Sequence, residues 1–323
     1  MFSVIIPLYN KAAYVEKALL SVLSQTYQEF ELIVVNDGST DDGFINLQFK
    51  MRNLEFEQPE QFKKVKIIDQ PNQGVSAARN NGVHSANFDY IAFLDADDWW
   101  ESTYLQEMKT LIEAYPESGI YGCSYYIVKN GRKHIAPIVL KPDFKAGIIN
   151  YFRVYANTLC MPLWTGATII KKEIFESEKG FKLNLKLGED FDLWVRVASH
   201  YPVAFLNKPL AYYNQDVEMA TRAIGFKLYE PEEHMLFTDY AKLMKNPDFR
   251  LLFERLAVYS LLPYYLADKN IHQVNQILSC IHWKYHGIKY FLFYKIFPKS
   301  FVQTWVNLNI TGSSLKKVIL KNF

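Results

Sequence analysis

Three aspartates that follow one apolar run are the residues best suited to chemistry in this sequence. Asp95, Asp97 and Asp98 come directly after the apolar residues 90–94, and a short run of this kind is typical of a buried strand. Ligands of open α/β sheets bind outside the carboxyl ends of the strands, which is where these acids would lie. Because neighbouring carboxylates repel one another, a divalent cation that carries a phosphate would stabilise them. The alternative is a turn before a helix N-terminus, where Asp is favoured in any case.

A second group of acids opens a later helix. Glu189 and Asp190 follow Gly188, and apolar residues then recur at helical spacing, at Phe191, Leu193-Trp194 and Val197-Ala198. The spacing predicts an amphipathic helix that begins at these acids. Acids in a first turn complement the helix dipole, so a purely structural role is the alternative here.

The elements that would position both groups of acids alternate between strand and helix. Apolar and β-branched runs predict strands over residues 3–8, 31–35, 65–68 and 90–94. Helical spacing predicts a helix over residues 12–25, and small residues predict a short helix over residues 75–82. Two strands that flank a helix in this way form a βαβ unit with parallel strands. The carboxyl ends of the four strands would therefore meet at one edge of a parallel sheet.

The remainder of the chain gives weaker signals. Phe44, Leu47 and Met51 could line one face of a helix in the otherwise ambiguous residues 43–63. Further strands are predicted at residues 120–128 and 165–170, with edge strands at 203–206 and 210–213 and a hairpin turn at Asn130-Gly131. From residue 231 onward the spacing is helical. We therefore predict a first domain over residues 1–220 and a helical extension, basic and aromatic, over residues 221–323.

Composition indicates a folded protein with one large domain and an appendage. The chain has 323 residues, of which 50% are hydrophobic and 22% are charged, as is ordinary for a globular protein. Cys123, Cys160 and Cys280 are far apart and match neither a disulfide framework nor a metal-binding spacing, which fits a reducing cytoplasm better than export. The first residues lack a signal-peptide pattern, and no uncharged apolar run reaches the roughly 18 residues of a membrane span.

The loops after the four predicted strands carry side chains that suit a nucleoside diphosphate. They are Tyr9 with Asn10, Asp37, Arg79, and Asp95 with Asp97. An aromatic ring can hold a base, a carboxylate accepts from base or ribose donors, and the planar fork of arginine suits phosphate. A cation on Asp97 would neutralise the diphosphate. The sequence has no GxGxxG and no P-loop motif, which argues against dinucleotide binding and ATP hydrolysis.

Five motifs, in order, resemble those of the family 2 inverting glycosyltransferases with the GT-A fold. Four are FSVIIPLYN at residues 2–10, VNDGSTD at 35–41, GVSAARN at 74–80 and FLDADD at 93–98. The fifth is Gly188-Glu189-Asp190, with Trp194 and Arg196 behind it. The resemblance covers about residues 1–215. It implies an α/β domain of the GT-A type, in which helices flank a Rossmann-like, mostly parallel sheet.

The resemblance also implies a role for seven residues. Pro7, Tyr9 and Asp37 would hold the base, Arg79 the diphosphate, Asp95 the ribose and Asp97 a Mg²⁺ or Mn²⁺ ion, and Asp190 would be the general base. Inversion at an anomeric carbon needs a base on the acceptor hydroxyl and help for the departing diphosphate. The segment after Tyr213 matches the family poorly, and we interpret its Arg222 as an ordinary surface arginine rather than a diphosphate contact.

The implied activity is transfer of a sugar from a nucleotide-sugar donor, expected to be a UDP-sugar, to a saccharide or lipid-linked acceptor. The implied setting is cell-surface polysaccharide biosynthesis in a bacterium. A sugar nucleotidyltransferase is one alternative, although the motif around Asp190 argues against it. A non-catalytic protein that binds nucleotide sugars or membranes is the other alternative, and the intact acids Asp95, Asp97 and Asp190 argue against it without excluding it.

The C-terminal part is strongly basic although the net charge of the chain is only +2. No acidic residue follows Asp268, whereas eight lysines do, and several of them alternate with aromatic residues. This pattern suits the surface of an anionic membrane, so we expect peripheral contact at the inner face of the plasma membrane. The alternative is a helical layer with its aromatic residues inward. Nucleic-acid binding has no other support in the sequence, and His282 with His286 lacks a nearby third metal ligand.

Overall fold

The computed structural model describes residues 1–217 and 227–311, and the chain divides into two compact units. The first comprises Met1–Tyr151 and Met161–Gly225, and the second comprises Phe152–Cys160 and Phe226–Phe323. The short segment of residues 152–160 therefore packs with the later helices. The boundary that we predicted from composition, near residue 220, did not assign residues 152–160 to the second unit.

The first unit is built on a ten-stranded sheet in the order β3-β2-β1-β4-β9-β6-β10-β5, with β7 beside β6 and β8 beside β10. The strands are β1 (Phe2–Leu8), β2 (Phe30–Asp37), β3 (Val65–Gln70), β4 (Tyr90–Phe93), β5 (Trp99–Trp100), β6 (Ile120–Lys129), β7 (Arg132–Ile135), β8 (Ala146–Ile149), β9 (Thr168–Lys171) and β10 (Val203–Asn214). Strands β1 to β4 are mutually parallel, so their carboxyl ends meet at one edge. This confirms the predicted α/β class with a mostly parallel sheet.

The two central strands of this parallel part are buried along their length. Every residue of β1 is buried, and β2 is buried except for Glu31. Parallel strands covered on both faces have continuous apolar sequences rather than alternating ones. That is why the first two strands were legible in the sequence.

Helices alternate with the strands of the parallel part. They are α1 (Val15–Leu23), α2 (Gly43–Glu57), α3 (Pro59–Phe62), α4 (Val75–His84) and α5 (Tyr104–Ala114), followed later in the chain by α6 (Tyr151–Thr158), α7 (Lys172–Ser177) and α8 (Glu189–His200). On α2, Leu47 and Met51 are buried as predicted. Helix α4 approaches β1 so closely that a Cβ on Gly82 would lie 2.5 Å from Cγ2 of Ile5. The small residues of α4 thus allow this helix to lie directly on the sheet.

The second half of the sheet differs from the prediction in two places. Residues 203–206 and 210–213 do not form separate edge strands, because they belong to the single strand β10, which lies between β6 and β5. The ladder between β10 and β6 shifts register around Pro209, where proline lacks the N–H that a regular ladder needs. The predicted strand over residues 165–170 begins later, since Thr165–Ala167 form a 3₁₀ turn before β9.

The second unit is helical, as its sequence spacing predicted. Its main helices are α9 (Pro247–Ser260), α10 (Leu262–Leu266), α11 (Ile271–Ser279), α12 (Ile288–Lys295) and α13 (Lys299–Thr311). Tyr290, Phe293 and Tyr294 are buried within the unit, so part of the aromatic content forms a core. In the described part of the chain, no helix combines the length and the apolar character needed to cross a membrane.

The histidine pair of the second unit has a partner that the sequence did not reveal. The buried carboxylate of Glu254, on α9, lies 2.7 Å from His282 Nδ1 and 2.9 Å from His286 Nε2. The pair therefore holds the segment after α11 against α9.

Candidate active site

Asp37, at the carboxyl end of β2, is buried and fully engaged with the turn that follows β3. Its Oδ1 accepts hydrogen bonds from Gln70 Nε2 at 2.8 Å and from the Gln73 amide at 2.9 Å, and its Oδ2 accepts one from the Gly74 amide at 2.8 Å. Gly74 has a φ of +91° and immediately precedes α4, a conformation that favours glycine. Asp37 thus fixes the turn from which α4 begins, which the sequence did not predict.

The loop after β1 is held against the loop after β2. Asn10 has a positive φ of 51°, and its side-chain oxygen accepts hydrogen bonds from the backbone amides of Thr40 and Asp41 at 2.8 and 3.3 Å. Pro7 is buried within β1, whereas Tyr9 is 46% exposed. Of these two residues, only Tyr9 therefore offers a side-chain surface for a base in this arrangement.

The aspartates after β4 have different partners. Asp97 forms a 2.6 Å ion pair with Lys11, whose role the sequence had not indicated. Burial and the nearby Asp95 raise the pKa of Asp97, while Lys11 opposes this shift. Asp98 is buried and accepts a 2.6 Å hydrogen bond from the amide of Asn214. Asp98 therefore ties the loop to the end of β10.

A divalent cation fits the oxygen donors of this loop. Within residues 1–217 and 227–311 no group of three His, Cys, Asp or Glu side chains could hold a metal ion by itself. Magnesium sites that also bind substrate phosphates often use only one or two carboxylates. Asp97 and Asp95 supply such carboxylates. Burial, followed by the charge of Asp95, raises the pKa of Asp97, and a bound cation would oppose both effects. Lys11 supplies part of this positive charge already.

Arg79, on α4, joins the loop that follows β4 (the donor-side loop, residues 94–98) to the start of α8. Its side chain is 5% exposed, with Nη2 2.7 Å from Asp95 Oδ1 and Nη1 3.1 Å from Glu189 Oε1. Its Nε has no hydrogen-bond partner among the described residues. If Arg79 binds a diphosphate, as predicted, its Nε is the guanidinium nitrogen that no described residue already occupies.

Asp190 lies in the first turn of α8, after Gly188 in a left-handed conformation with a φ of +80°. Its Oδ2 accepts a hydrogen bond from Thr165 Oγ1 at 3.2 Å and its Oδ1 accepts one from the Phe191 amide at 2.7 Å. Burial, followed by the charge of Glu189, raises the pKa of Asp190 to about 6, whereas Arg79 and both hydrogen bonds oppose the shift. The side chain is only partly covered, so a bound molecule could reach it.

Of the predicted site residues, Arg79 and Asp95 contact each other directly, and Asp37 and Asp190 are connected to them through neighbouring residues of the first unit. Asp37 fixes the turn that starts α4, α4 carries Arg79, and Arg79 contacts both Asp95 and the residue before Asp190. Lys11 adds the contact to Asp97. Arg222, which the sequence analysis had considered, lies outside the described residues.

The fold is shared with known structures. TarS of S. aureus, solved as residues 1–349 in complex with UDP-GlcNAc, matches with a TM-score of 0.67 and 20% identity over 88% of this chain and 82% of that chain. The mannosyltransferase PcManGT from Pyrobaculum calidifontis, in complex with GDP-Man and Mn²⁺, matches with a TM-score of 0.58 and 17% identity over 99% of this chain and 84% of that one. These similarities show the fold, which is that of GT-A glycosyltransferases.

Curated relatives have a higher sequence identity with this chain than these structures have, and they are longer than the chain. Glycosyltransferase GlyA of Streptococcus pneumoniae is 31% identical over 222 residues, which cover 65% of this chain and 30% of that protein. The glycosyltransferase alr2836 of Nostoc sp. is 32% identical over 220 residues, covering 65% of this chain and 63% of its own length. The chain thus spans less than two thirds of these relatives, and about a third of GlyA.

A family profile matches the part of the chain that carries the donor-side residues. The profile is that of glycosyl transferase family 2, and it matches residues 3–167, which include β1 to β6 and four of the five motifs. Over half of the chain lies within this match. The chain therefore belongs to glycosyl transferase family 2.

Proposed function

We propose that this protein transfers a sugar from a nucleotide-sugar donor to a hydroxyl group of an acceptor, with inversion at the anomeric carbon. The proposal rests chiefly on one observation: Asp190, with its pKa raised to about 6, adjoins Glu189, which Arg79 connects to Asp95. A proton acceptor thus lies on one side of a cluster whose other side carries the donor-binding motifs. An inverting displacement needs these two parts.

Asp190 suits the role of base better than its neighbour Glu189. Glu189 Oε1 lies 3.1 Å from Nη1 of the buried Arg79, so its carboxylate is already engaged in an ion pair. The pKa of Asp190 is raised toward the working range of a general base. Thr165 and the Phe191 amide orient its two oxygens. We therefore assign proton removal from the acceptor hydroxyl to Asp190.

The donor nucleotide would lie along the carboxyl edge of β1 to β4. The exposed ring of Tyr9 offers a stacking surface for the base, next to Pro7, and Asp37 positions the turn before α4. Arg79 Nε and Asp95 face the diphosphate and ribose in this proposal. The solved complex of TarS with UDP-GlcNAc supports a UDP-sugar as the donor.

Asp97 would hold a Mg²⁺ or Mn²⁺ ion, with Asp95 beside it. When bound, the ion would stabilise the negative charge of the departing diphosphate. Lys11, 2.6 Å from Asp97, would supply further positive charge to the same oxygens. The mannosyltransferase solved with GDP-Man and Mn²⁺ supports this choice of cation.

The acceptor would be a saccharide or a lipid-linked saccharide used in cell-surface polysaccharide biosynthesis, with peripheral contact to the inner face of the plasma membrane. Several large apolar side chains within residues 285–301 of the second unit are exposed, namely Tyr285 at 58%, Ile288 at 75%, Ile296 at 59% and Phe301 at 51%. Lys284, Lys289, Lys295 and Lys299 lie among them in sequence. Exposed apolar side chains beside lysines are what an anionic membrane surface binds.

The test is a panel of UDP- and GDP-sugars with Mg²⁺ or Mn²⁺, in which release of the nucleoside diphosphate is measured with and without candidate saccharide acceptors. We expect release with one donor, and we expect Asp190→Asn to abolish it while nucleotide binding by calorimetry stays within about threefold of wild type. Full activity of Asp190→Asn would remove the base assignment. Nucleotide-sugar binding without release under any condition would favour a non-catalytic binding protein instead. Release of pyrophosphate from a sugar phosphate and a nucleoside triphosphate would favour a nucleotidyltransferase.

A further inference from the structure

Arg79 occupies an unusual place for a residue expected to bind phosphate. Its side chain is 5% exposed, and both terminal nitrogens contact protein carboxylates, Asp95 on the donor side and Glu189 on the acceptor side. A buried arginine that contacts an acid with each terminal nitrogen is held at both, and its removal would leave two carboxylates without their counter-charge. Arg79 is therefore positioned to act through other residues as well as on a ligand.

The residue next to Arg79 strengthens the same connection. Asn80 Nδ2 donates to the Phe181 carbonyl at 2.8 Å, and the Phe181 amide donates to Asn80 Oδ1 at 3.0 Å. The Arg79 guanidinium lies 5.3 Å from the centre of the Phe181 ring. Two adjacent residues of α4 thus hold both the segment before α8 and the first residue of α8.

We propose that Arg79 is a positioning residue: it holds Glu189 and Asp95 in one ion-paired unit and thereby fixes Asp190 relative to the donor-side loop. This inference rests on the proposed transferase function and adds to it. In this arrangement the donor-side loop and the base-bearing helix α8 share one buried cation. Displacement of either carboxylate would move the base away from the sugar.

The charges around Asp190 make the proposal testable. The charged side chains that face Asp190 are Glu189 on its own helix and Arg79 on α4, and its remaining partners are the neutral Thr165 hydroxyl and the Phe191 amide. Glu189 raises the pKa of Asp190 and Arg79 lowers it. The two members of one ion pair, Glu189 and Arg79, therefore shift the pKa of Asp190 in opposite directions.

The experiment measures the pH dependence of kcat for wild type, Arg79→Gln, Arg79→Lys and Glu189→Gln. We expect the acid limb to move to higher pH by about one unit in Arg79→Gln, since a nearby opposite charge is worth about one unit or more, and to move to lower pH in Glu189→Gln. Arg79→Lys should give an intermediate shift, because one ammonium cannot reproduce the two-pronged contact. If Arg79 only stabilised the fold, its substitution would not shift the acid limb of the pH profile of kcat.

Controls separate the possible failures. Glu107→Gln, which breaks an ion pair with the half-exposed Lys208, should leave the pH profile unchanged. If Arg79→Gln does not fold, Glu189→Gln alone decides, and a limb that stays in place or moves upward overturns the proposal. Equal shifts in the same direction for both halves of the pair would also overturn it. Absence of transfer by wild type with every donor would instead count against the proposed function itself.

Discussion

At the scale of single residues, the site is a balance of partly buried charges. Burial raises the pKa of Asp97 and of Asp190, and in each case a cation, Lys11 or Arg79, opposes the shift. Burial of an ionised carboxylate without a partner costs on the order of several kcal/mol of free energy. Because the pKa of each acid stays raised despite the nearby cation, a bound cation or a proton would stabilise it further.

The first prediction concerns pH. The pKa of Asp190 is raised to about 6, so its carboxyl group is neutral below that pH and becomes the proton acceptor above it. We expect kcat to rise about tenfold per pH unit below pH 6 and to level off above pH 7. Rates between pH 5 and pH 8.5 at saturating donor check this. An acid limb near pH 4 would show that Asp190 is not the base or is not desolvated.

The second prediction concerns Asp37, whose two oxygens accept three hydrogen bonds from the turn at residues 70–74. Asp37→Asn replaces one acceptor oxygen with an NH₂ group that faces a donor, so we expect a loss of about 1–3 kcal/mol in the free energy of unfolding. Nucleotide binding should weaken with it. Asp69→Asn is the matched control, because Asp69 is exposed and accepts one hydrogen bond from Asn36, so its change should cost well under about 1 kcal/mol. Equal stability of Asp37→Asn and wild type would contradict this account.

The sequence singled out the candidate acids, but it did not indicate their partners. Asp95, Asp97 and Asp190 stand out because acids follow an apolar strand or open a helix. Lys11 gives no such signal, because nothing in its sequence neighbourhood indicates a partner 86 residues away. Likewise, three long-range hydrogen bonds to Asp37 depend on the register of β2 and β3, which only the folded chain defines.

At the scale of elements, the close approach of α4 to β1 determines where Arg79 lies. Gly82 faces Ile5 on β1, and the opposite end of the helix begins at the turn that Asp37 fixes. Helix α4 is thus fixed at both ends, by packing at one and by hydrogen bonds at the other. Its position sets the contacts of Arg79 and Asn80.

The third prediction tests that packing. Gly82→Ala gains helix propensity of about 1 kcal/mol, but its Cβ would lie 2.5 Å from Cγ2 of Ile5, and a β-branched side chain in a buried strand has little rotamer freedom. We expect a net loss of about 1–3 kcal/mol in the free energy of unfolding, measured with urea. In the double-mutant cycle, Gly82→Ala with Ile5→Ala should cost less than the sum of the single changes. Additive costs would show that the two residues do not meet.

The accuracy of the sequence prediction differed between the two halves of the sheet for a physical reason. Helices connect the strands β1 to β4, and β1 and β2 are buried along nearly their whole length, so the apolar runs and the intervening helical spacing are clear. Strand β10 pairs with β6, β8 and β5 and carries a register shift around Pro209. Proline and charge in Asn207-Lys208-Pro209 interrupted its pattern, and the sequence therefore suggested two strands where there is one.

At the scale of the whole molecule, the C-terminal end carries only positive charge, beside several exposed apolar side chains. Eight lysines and no acid follow Asp268, while Tyr290, Phe293 and Tyr294 form part of the helical core. The two sequence interpretations of this region therefore apply to different residues. The buried aromatics fit the helical layer, and the exposed residues Ile288 and Ile296 are left for the proposed membrane contact.

The fourth prediction tests that contact with point variants, because a deletion of residues 282–323 would remove core residues such as Phe293. Ile288 and Ile296 are 75% and 59% exposed, and insertion of each into a membrane interface would contribute about 1 kcal/mol or more. We expect Ile288→Asn with Ile296→Asn to reduce sedimentation with phosphatidylglycerol vesicles about tenfold. Ile45→Asn, at a 50% exposed position of α2, is the matched control and should bind as wild type does.

Binding should also fall with added salt, since lysines attract anionic lipid. If the wild-type protein does not bind these vesicles, or binds phosphatidylcholine vesicles equally well, a basic, apolar membrane contact in this unit is ruled out.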